Sequence, residues 1–327
     1  MRKIASVSTA YLEDISQAFF FRNAYFGGLL LILLGAFDRY FFVCAVLASL
    51  IGYVYTLIYS TPKLVKDSGL ITINGFFFGT AVASLFQESP SLYACLVFGA
   101  LSIPIMTKAA FEVLQHWKLS PYVFPYILSV WVLWLCGNGM ALEMRHDIWP
   151  EVIATLPPIH PEWSYTPRLV FSAFQGAGRL LFLPDVRFGL SILALISVFS
   201  PRRGLFFFLG TAVGSYLALL MAGESSAWEY GFFSYCGGLV GLALASSPEK
   251  FNWRTILLLS VLTCFLTIAT DQFLRGMNLP VLSLPYVLSM WIAVLSRVPR
   301  VSMSWAQSKP APDRPTKVRE EELKKVA

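Results

Sequence analysis

Charged residues are scarce in this sequence. Of its 327 residues only 13% are Asp, Glu, Lys or Arg, whereas 56% are hydrophobic. A soluble domain carries charge on about a quarter of its residues. The scarcity excludes an ordinary water-soluble domain and indicates a chain that faces lipid, best divided into spans of about 20 residues.

The sequence also lacks the patterns of catalytic and metal-binding sites. Its three histidines lie in loops or at span ends without metal spacing, and its five cysteines are scattered within apolar runs. It has no phosphate-binding glycine loop with a lysine, no nucleophile elbow and no clustered His, Asp or Glu within the spans. We therefore predict no metal, no cofactor and no enzymatic activity.

The net charge of +6 does not indicate a nucleic-acid partner. The basic residues sit in short loops and at the two ends, as in Ser200–Arg203 and in the tail after Arg297. Cytoplasmic loops of membrane proteins carry such an excess of Lys and Arg. The charge pattern therefore predicts a multi-pass membrane protein.

Apolar runs divide the chain into two similar sets of segments. A short segment, about 12–22, precedes spans near 24–37, 40–60, 69–86, 91–114 and 121–141. After a polar stretch, 143–167, a second short segment near 169–183 precedes spans near 187–199, 203–222, 231–247, 253–272 and 280–298. The tail from Arg300 is charged and contains prolines, so we predict that it is disordered.

Four motifs recur in the same order at a nearly constant offset. Asn23–Gly27 lines up with Asp185–Gly189, Gly52 with Gly214 and Asn74–Gly79 with Cys236–Gly241, each 162 residues apart, and Pro125–Trp131 lines up with Pro285–Trp291 at 160. This agreement indicates a duplication. We predict a first repeat, 1–142, an extracytoplasmic linker, 143–167, a second repeat, 168–299, and a disordered cytoplasmic tail, 300–327.

The charges of the loops predict that the two repeats are inverted. Each repeat has five spans and one short segment, and an odd number of crossings inverts the second repeat if the short segment does not cross. With the N-terminus inside, the loops near 61–68, 108–118, 200–203 and 248–254 are inside, and all contain Lys or Arg. The predicted fold class is an all-α integral membrane protein of two inverted repeats, each with five transmembrane helices and one re-entrant pore helix.

The two short segments, Ile15–Asn23 and Ala177–Asp185, cannot cross a bilayer. A helix of about ten residues, at 1.5 Å each, covers about half of the hydrocarbon core. A backbone that ends there is tolerated only against protein or a water-filled path, and transporters built from repeats bind solutes at such ends. The alternative is that both segments lie on the membrane surface, with Arg179 snorkelling to water.

Three motifs resemble those of the urea transporter family. The pattern Ile15-Ser16-Gln17-x-Phe19-Phe20-x-x-Asn23-x-x-x-Gly27 resembles its pore-helix motif, and Gly69-Leu70-x-x-x-Asn74-Gly75-x-x-x-Gly79 is similar to its glycine-rich motif. Leu279-Pro280-x-Leu282-Ser283-x-Pro285-Tyr286 resembles the family signature of Leu-Pro, then Thr or Ser, then Pro and an aromatic. The resemblance spans roughly residues 12–298.

This resemblance implies passive, channel-like transport of urea through a narrow pore between the repeats. It further implies a homotrimer in the plasma membrane, the bacterial inner membrane, and the loop charges predict that both termini are cytoplasmic. In the family, side-chain and helix-end oxygens form a row between apolar walls. Transferred position by position, the predicted lining is Gln17, Phe20, Ile73, Phe77, Val123, Arg179, Phe182, Tyr235, Leu239 and Ser283.

Several lining positions depart from the family pattern. Ile73 and Tyr235 replace Phe, and Val123 replaces the central hydroxyl of the first repeat, which Ser283 keeps in the second. These departures leave a second reading open, a pore of the same fold for another small neutral amide or a small anion. For Ser283 the ordinary alternative is a hydrogen bond between two spans.

Arg179 is the most informative departure, because it stands opposite Gln17 where Gln or Glu is usual. Arg donates up to five hydrogen bonds and accepts none, so it could donate to the oxygen of urea. An intramembrane Arg requires a partner, for which Asp14 is a candidate. We hypothesise that Arg179 lines the pore and biases it toward neutral or anionic solutes.

Overall fold

The computed structural model describes residues 2–59, 65, 68–137, 142–145, 164–222, 228–247 and 251–295. Helices account for nearly all of this part of the chain. The first six are α1 (Arg2–Ser16), α2 (Ala24–Phe37), α3 (Arg39–Ile58), α4 (Leu70–Leu85), α5 (Pro90–Leu114) and α6 (Phe124–Gly137). The next six are α7 (Tyr165–Arg179), α8 (Val186–Phe199), α9 (Pro201–Ala222), α10 (Tyr235–Ser246), α11 (Trp253–Arg275) and α12 (Leu284–Leu295).

Short polar side chains fix where several helices begin. Asn23 accepts hydrogen bonds from the backbone amides of the first turn of α2, and Asp185 does the same for α8. Asp38 begins α3 in this way, and Ser89, followed by a proline, begins α5. Such caps satisfy amides that have no partner within the helix. The aligned pair Asn23 and Asp185 therefore has the same structural role in both halves.

The predicted segments agree with the helices to within a few residues, except at the first one. Helix α1 begins at Arg2 rather than near residue 12, and it ends at Ser16 in a 3-10 turn, Gln17–Phe19. Polar residues are frequent in its first turns, so hydrophobicity alone does not reveal them. The tail from Arg300 and most of the predicted linker lie outside the described residues.

Four described helices, α3, α5, α9 and α11, are long and apolar enough to cross a membrane. The pair Val7–Phe19 and Ala24–Phe37 is a further candidate, bent by 75° as in a broken span or a re-entrant loop. Helices α4, α6, α8, α10 and α12 are apolar but only 12–16 residues long. The all-helical, multi-pass prediction is confirmed, while five full spans per repeat stays a prediction.

The surface and the centre of the molecule are both apolar, as expected in lipid. Phe98, Val198 and Leu258 are largely exposed on the outside of α5, α8 and α11. Every residue of α4 and of α10 is buried. A helix that is hydrophobic on all sides belongs at a centre rather than at a surface. Helices α4 and α10 therefore form the inner layer, around which the other helices pack.

Left-handed backbone conformations recur at corresponding places in the two halves. The described residues with positive φ fall into the pairs Phe20 and Phe182, Gly69 and Gly231, Lys118 and Asn278, and Tyr122 and Leu282. Each pair is separated by 160 or 162 positions, the offsets found in the sequence. Positive φ is uncommon outside glycine, and six of these eight residues are not glycine. The two halves thus share unusual turns as well as helix order.

Helix α1 packs closely against α2, and α7 packs in the same way against α8. A Cβ atom on Gly27 would lie 2.0 Å from the carbonyl oxygen of Leu12. A Cβ atom on Gly189 would lie 1.8 Å from the carbonyl oxygen of Phe174. Glycine permits this approach of backbone to backbone. The contacts hold α1 against α2 and α7 against α8.

Candidate functional site

The first cavity lies where the 3-10 turn after α1 meets helices α4, α10 and α12. About 30 Å³ of it is open to the centre of a water-sized molecule. Its walls are formed by Gln17, Ala18, Phe20, Leu70, Ile73, Phe77, Tyr122, Val123, Leu239 and Tyr286. We call it the Gln17 cavity. Its lining is apolar or aromatic except for the Gln17 amide and two tyrosines.

The second cavity lies where the end of α7 meets α10, α11 and the turn before α12. About 60 Å³ of it is open to the centre of a water-sized molecule. Its walls are formed by Ser84, Leu85, Arg179, Phe182, Pro184, Phe232, Tyr235, Asp271, Arg275, Leu279, Pro280, Val281 and Leu282. We call it the Arg179 cavity. It contains an ion pair on α11, in which Arg275 Nη2 lies 2.6 Å from Asp271 Oδ2.

The walls of the two cavities correspond through the internal offset. The corresponding pairs are Gln17 and Arg179, Phe20 and Phe182, Leu70 and Phe232, Ile73 and Tyr235, and Tyr122 and Leu282. A duplicated fold repeats the positions of its cavities even where it changes the residues. The chemistry of each cavity then depends on which side chain occupies the shared position.

Gln17 supplies an acceptor to the first cavity. Its side chain is only 5% exposed, and its Nε2 donates to Asp14 Oδ1 at 3.3 Å. Among the described residues, its Oε1 has no hydrogen-bond partner. Buried polar atoms are almost always paired, so an unpaired one at a cavity wall indicates a site for a solute or water.

Arg179 supplies a donor to the second cavity. It is 7% exposed, its Nε donates to the carbonyl oxygen of Tyr230 at 3.1 Å, and its guanidinium lies 5.2 Å from the centre of the Phe232 ring. Its Nη2 has no hydrogen-bond partner in the part of the chain that the structure describes. Arg179 is therefore enclosed by protein and does not snorkel.

Asp14 is not the partner of Arg179. The Asp14 carboxylate accepts from Thr72 Oγ1 at 2.9 Å and from Gln17, both in the first half. Gln17 and Arg179 likewise border two different cavities, so they do not face each other across one cavity. The prediction of a direct pair was wrong because the two short segments end in separate places. The alignment of the two halves shows that Gln17 and Arg179 hold corresponding positions, but corresponding positions need not be in contact.

Tyr126 lies between the two cavities. Its ring stacks on Phe77 of the Gln17 cavity at 5.6 Å and meets Phe182 of the Arg179 cavity edge-on at 6.4 Å. Its hydroxyl donates to Ser283 Oγ at 2.8 Å and accepts from the amide of Ser283 at 3.2 Å. Tyr126 is fully buried. It therefore separates the cavities and joins the two halves of the chain.

Paired hydrogen bonds support the turns on either side of Tyr126. Trp131 Nε1 donates to the carbonyl oxygen of Pro280 at 2.8 Å, and Trp291 Nε1 donates to that of Ser120 at 2.7 Å. Each tryptophan thus holds the turn of the opposite half. Asn74 bonds to Tyr122 and to the amide of Tyr126, which fixes the start of α6.

The structure brings nine of the ten predicted lining residues to a cavity wall. Gln17, Phe20, Ile73, Phe77, Val123 and Leu239 border the first cavity, and Arg179, Phe182 and Tyr235 border the second. Ser283 borders neither of these cavities, because its hydroxyl and amide are taken by Tyr126. The position of Tyr126 was not predicted. Its only signal in the sequence is the repeated Pro-Tyr pair, Pro125-Tyr126 and Pro285-Tyr286.

The fold and the cavities define a class of protein, an all-helical, multi-pass membrane protein with two corresponding internal cavities. The profile of the family described as "Urea transporter" matches residues 8–297, so the chain belongs to the urea transporter family. Members of this family are not enzymes, which confirms the prediction that this chain is not one. The recognition made from the three motifs is likewise confirmed.

Two mammalian relatives are similar to this chain over most of its length. Urea transporter 1 of Mus musculus is 22% identical over 253 residues, which are 76% of this chain and 65% of the mouse protein. Urea transporter 1 of Rattus norvegicus is 20% identical over 293 residues, which are 87% of this chain and 75% of the rat protein. The chain thus matches just under two thirds of the mouse protein's length.

Proposed function

We propose that this protein conducts urea passively across a membrane, along a path that joins the Gln17 cavity to the Arg179 cavity past Tyr126. Family membership supports the solute class, since the family and both relatives are named for urea transport. One observation carries the pathway. Each of two corresponding cavities presents one buried side chain with an unpaired polar atom, Gln17 Oε1 in one and Arg179 Nη2 in the other.

The two unpaired atoms are complementary to the two ends of urea. Urea is planar and neutral, with four N–H donors and one carbonyl acceptor. Leaving water without replacement partners costs several kcal/mol per polar group. Gln17 Oε1 can accept from an N–H group, and Arg179 Nη2 can donate to the carbonyl oxygen. Two sites that each bind urea only weakly let it enter the path and also leave it, as in the filters of channels.

The proposed lining consists of the ten positions taken from the family pattern, with Tyr126 added. Phe20, Ile73, Phe77, Val123 and Leu239 form the apolar walls of the first cavity, and Phe182 and Tyr235 form those of the second. Ser283 acts through Tyr126. Flat apolar walls exclude bulkier solutes, while the two polar atoms select for a small amide.

The proposed organisation is two inverted repeats, 1–142 and 168–299, separated by an extracytoplasmic linker and followed by a cytoplasmic tail. The constant offset of the left-handed residues and the basic inner loops support it. Single cysteines introduced into the loops test the orientation. The loops near 61–68 and 200–203 should react with a membrane-impermeant thiol reagent from the cytoplasmic side only.

We further propose a homotrimer in the plasma membrane, the bacterial inner membrane, with both termini cytoplasmic. The family resemblance supports the trimer and the membrane, and the basic inner loops support the orientation of the termini. Native mass spectrometry of the protein released from detergent micelles tests the trimer. A mass of one or two chains of 36.5 kDa would contradict it.

Stopped-flow light scattering of proteoliposomes tests the transport itself. An inward urea gradient should cause vesicle swelling after the initial shrinkage much faster than in protein-free liposomes, without dependence on a proton or sodium gradient. Acetamide, formate and glycerol in the same assay test the alternative solutes, which the family match does not favour. Acceleration of formate but not urea would replace the proposal with an anion pore.

A further inference from the structure

An acidic residue, Asp14 at the end of α1, lies three positions before Gln17 of the following 3-10 turn. Residues three apart on a helix are neighbours, and Gln17 Nε2 donates to Asp14 Oδ1 at 3.3 Å. The position that corresponds to Asp14 in the second half is Gly176. The Asp14 carboxylate is therefore specific to the Gln17 cavity and is not part of the duplicated framework.

Helix α4 holds this carboxylate in place. Thr72 Oγ1 donates to Asp14 Oδ2 at 2.9 Å, which leaves Oδ1 for Gln17. Gly69, just before α4, has a φ of +59°, and a Cβ atom there would lie 2.7 Å from Asp14 Oδ1 and 3.0 Å from Gln17 Nε2. The backbone thus leaves room for the pair of side chains where another residue would displace them.

The chemistry of the pair determines which end of the Gln17 amide faces the cavity. Both oxygens of the Asp14 carboxylate accept hydrogen bonds, one from Thr72 Oγ1 and one from Gln17 Nε2, so the carboxylate binds the NH₂ group of the amide rather than its oxygen. Gln17 Oε1 is then turned away from Asp14, and it is the atom without a protein partner among the described residues. A rotation of the amide by half a turn would present two donors instead of one acceptor.

We propose that Asp14 is a positioning residue that orients the Gln17 amide, so that its carbonyl oxygen accepts an N–H group of the passing solute. This inference rests on the proposed function of the Gln17 cavity. Asp14 itself does not border the cavity and acts through Gln17. It makes the first cavity selective for solutes with N–H donors.

A double-mutant cycle of urea permeability tests this role. Asp14→Asn can bind the amide in either orientation, so urea permeability should fall severalfold, and Gln17→Leu should lower it further. Because residues that act as one unit are not additive, Asp14→Asn should have no effect once Gln17 is Leu. Equal losses from Asp14→Asn in both backgrounds, or no loss in either, would overturn the proposal.

The neighbouring acid supplies a matched control. Glu13→Gln removes the same charge from the same helix without a direct bond to Gln17, so it should leave urea permeability unchanged. A loss equal to that of Asp14→Asn would point to the charge of the helix rather than to the orientation of the amide.

A measurement without urea separates this proposal from the proposed function. Gln17→Glu would bring two carboxylates into contact, so it should lower the unfolding temperature strongly, and Asp14→Asn should restore most of the loss. Absence of this rescue would show that the two side chains do not meet and would overturn the positioning role. Rescue in a protein that fails to accelerate urea would instead confirm the contact and refute the transport function, and the positioning role with it.

Discussion

The two halves of this chain share their helix order and their left-handed turns, but they differ in the polar groups at their cavities. At the shared position that ends the short segment, Gln17 offers an acceptor to one cavity, and Arg179 offers a donor to the other. At the shared position before α6 and α12, Val123 faces a cavity, whereas Ser283 bonds to Tyr126. The turns and the glycine contacts thus correspond between the halves, while the side chains at the cavities differ. The predictions below test what is shared first, and then what differs.

The largest expected effect concerns the shared backbone contact. Overpacking an ordinary core costs about 1–3 kcal/mol, and here the added atoms would meet backbone, which relaxes least. Gly27→Val and Gly189→Val should each reduce the yield of folded protein severely, as measured by fluorescence-detected size-exclusion chromatography. Gly28→Val is the matched control, because a Cβ atom there meets only a Leu12 methyl at 3.8 Å. Tolerance at one glycine and failure at the other would break the equivalence of the halves.

The next effect concerns the donor that only the second cavity has. A hydrogen bond to a charged group contributes about 1.5–3 kcal/mol, so Arg179→Leu should lower urea permeability about tenfold or more. Arg187→Leu is the control, because Arg187 is 83% exposed and pairs with Asp185. The rate of vesicle swelling after the initial shrinkage in a urea gradient, followed by stopped-flow light scattering, measures both variants. An unchanged rate for Arg179→Leu would remove Arg179 from the pathway.

A smaller effect concerns the two repeated tyrosines. Tyr126→Phe leaves the buried Ser283 amide without an acceptor, which costs about 1–3 kcal/mol of unfolding free energy. Tyr286 is its counterpart, and in the described part of the chain its hydroxyl has no hydrogen-bond partner. Tyr286→Phe should therefore change the unfolding temperature little. An equal drop in unfolding temperature for the two substitutions would mean that the hydrogen bond between Tyr126 and Ser283 does not add to stability.

The smallest effect comes from making the halves alike. Val123→Ser would place a hydroxyl at the position that corresponds to Ser283, within the wall that also contains Tyr286. The gain of a hydrogen bond, about 1 kcal/mol, should offset most of the lost apolar burial, so the unfolding temperature should barely change. Val130→Ser is the control, because Val130 is completely buried in α6 and should be clearly destabilised. A similar drop in unfolding temperature for Val123→Ser and Val130→Ser would contradict the idea that position 123 accepts a hydroxyl as position 283 does.

The ten lining positions stay a prediction, but the sequence predicted the helices well, because hydrophobic runs are a local property. It placed α2 within its observed bounds and nine of ten lining residues at a cavity wall. It misjudged contacts that depend on three dimensions. Asp14 was a candidate partner of Arg179, but it bonds to Thr72. Tyr126 was not predicted, because the sequence does not show which residues a buried tyrosine contacts.

The beginning of α1 was missed for a related reason. Its first residues, Arg2 onward, form a helix whose polar side chains hide it from a search for apolar runs. Contacts with α2, as at Gly27, stabilise such a helix more than its own composition does. Packing against α2 therefore determines where α1 begins, which the local hydrophobic pattern does not show.

The central claim is that the two cavities lie in series on one path. Phe20→Cys and Phe182→Cys place a thiol at corresponding walls of the Gln17 and Arg179 cavities. Each is treated with a bulky thiol reagent before urea flux is measured, and the unsubstituted protein, with its exposed Cys136, is the control. The account predicts that modification at either wall alone removes nearly all urea flux. Flux that survives modification at both walls, or that falls by half at each, would contradict it.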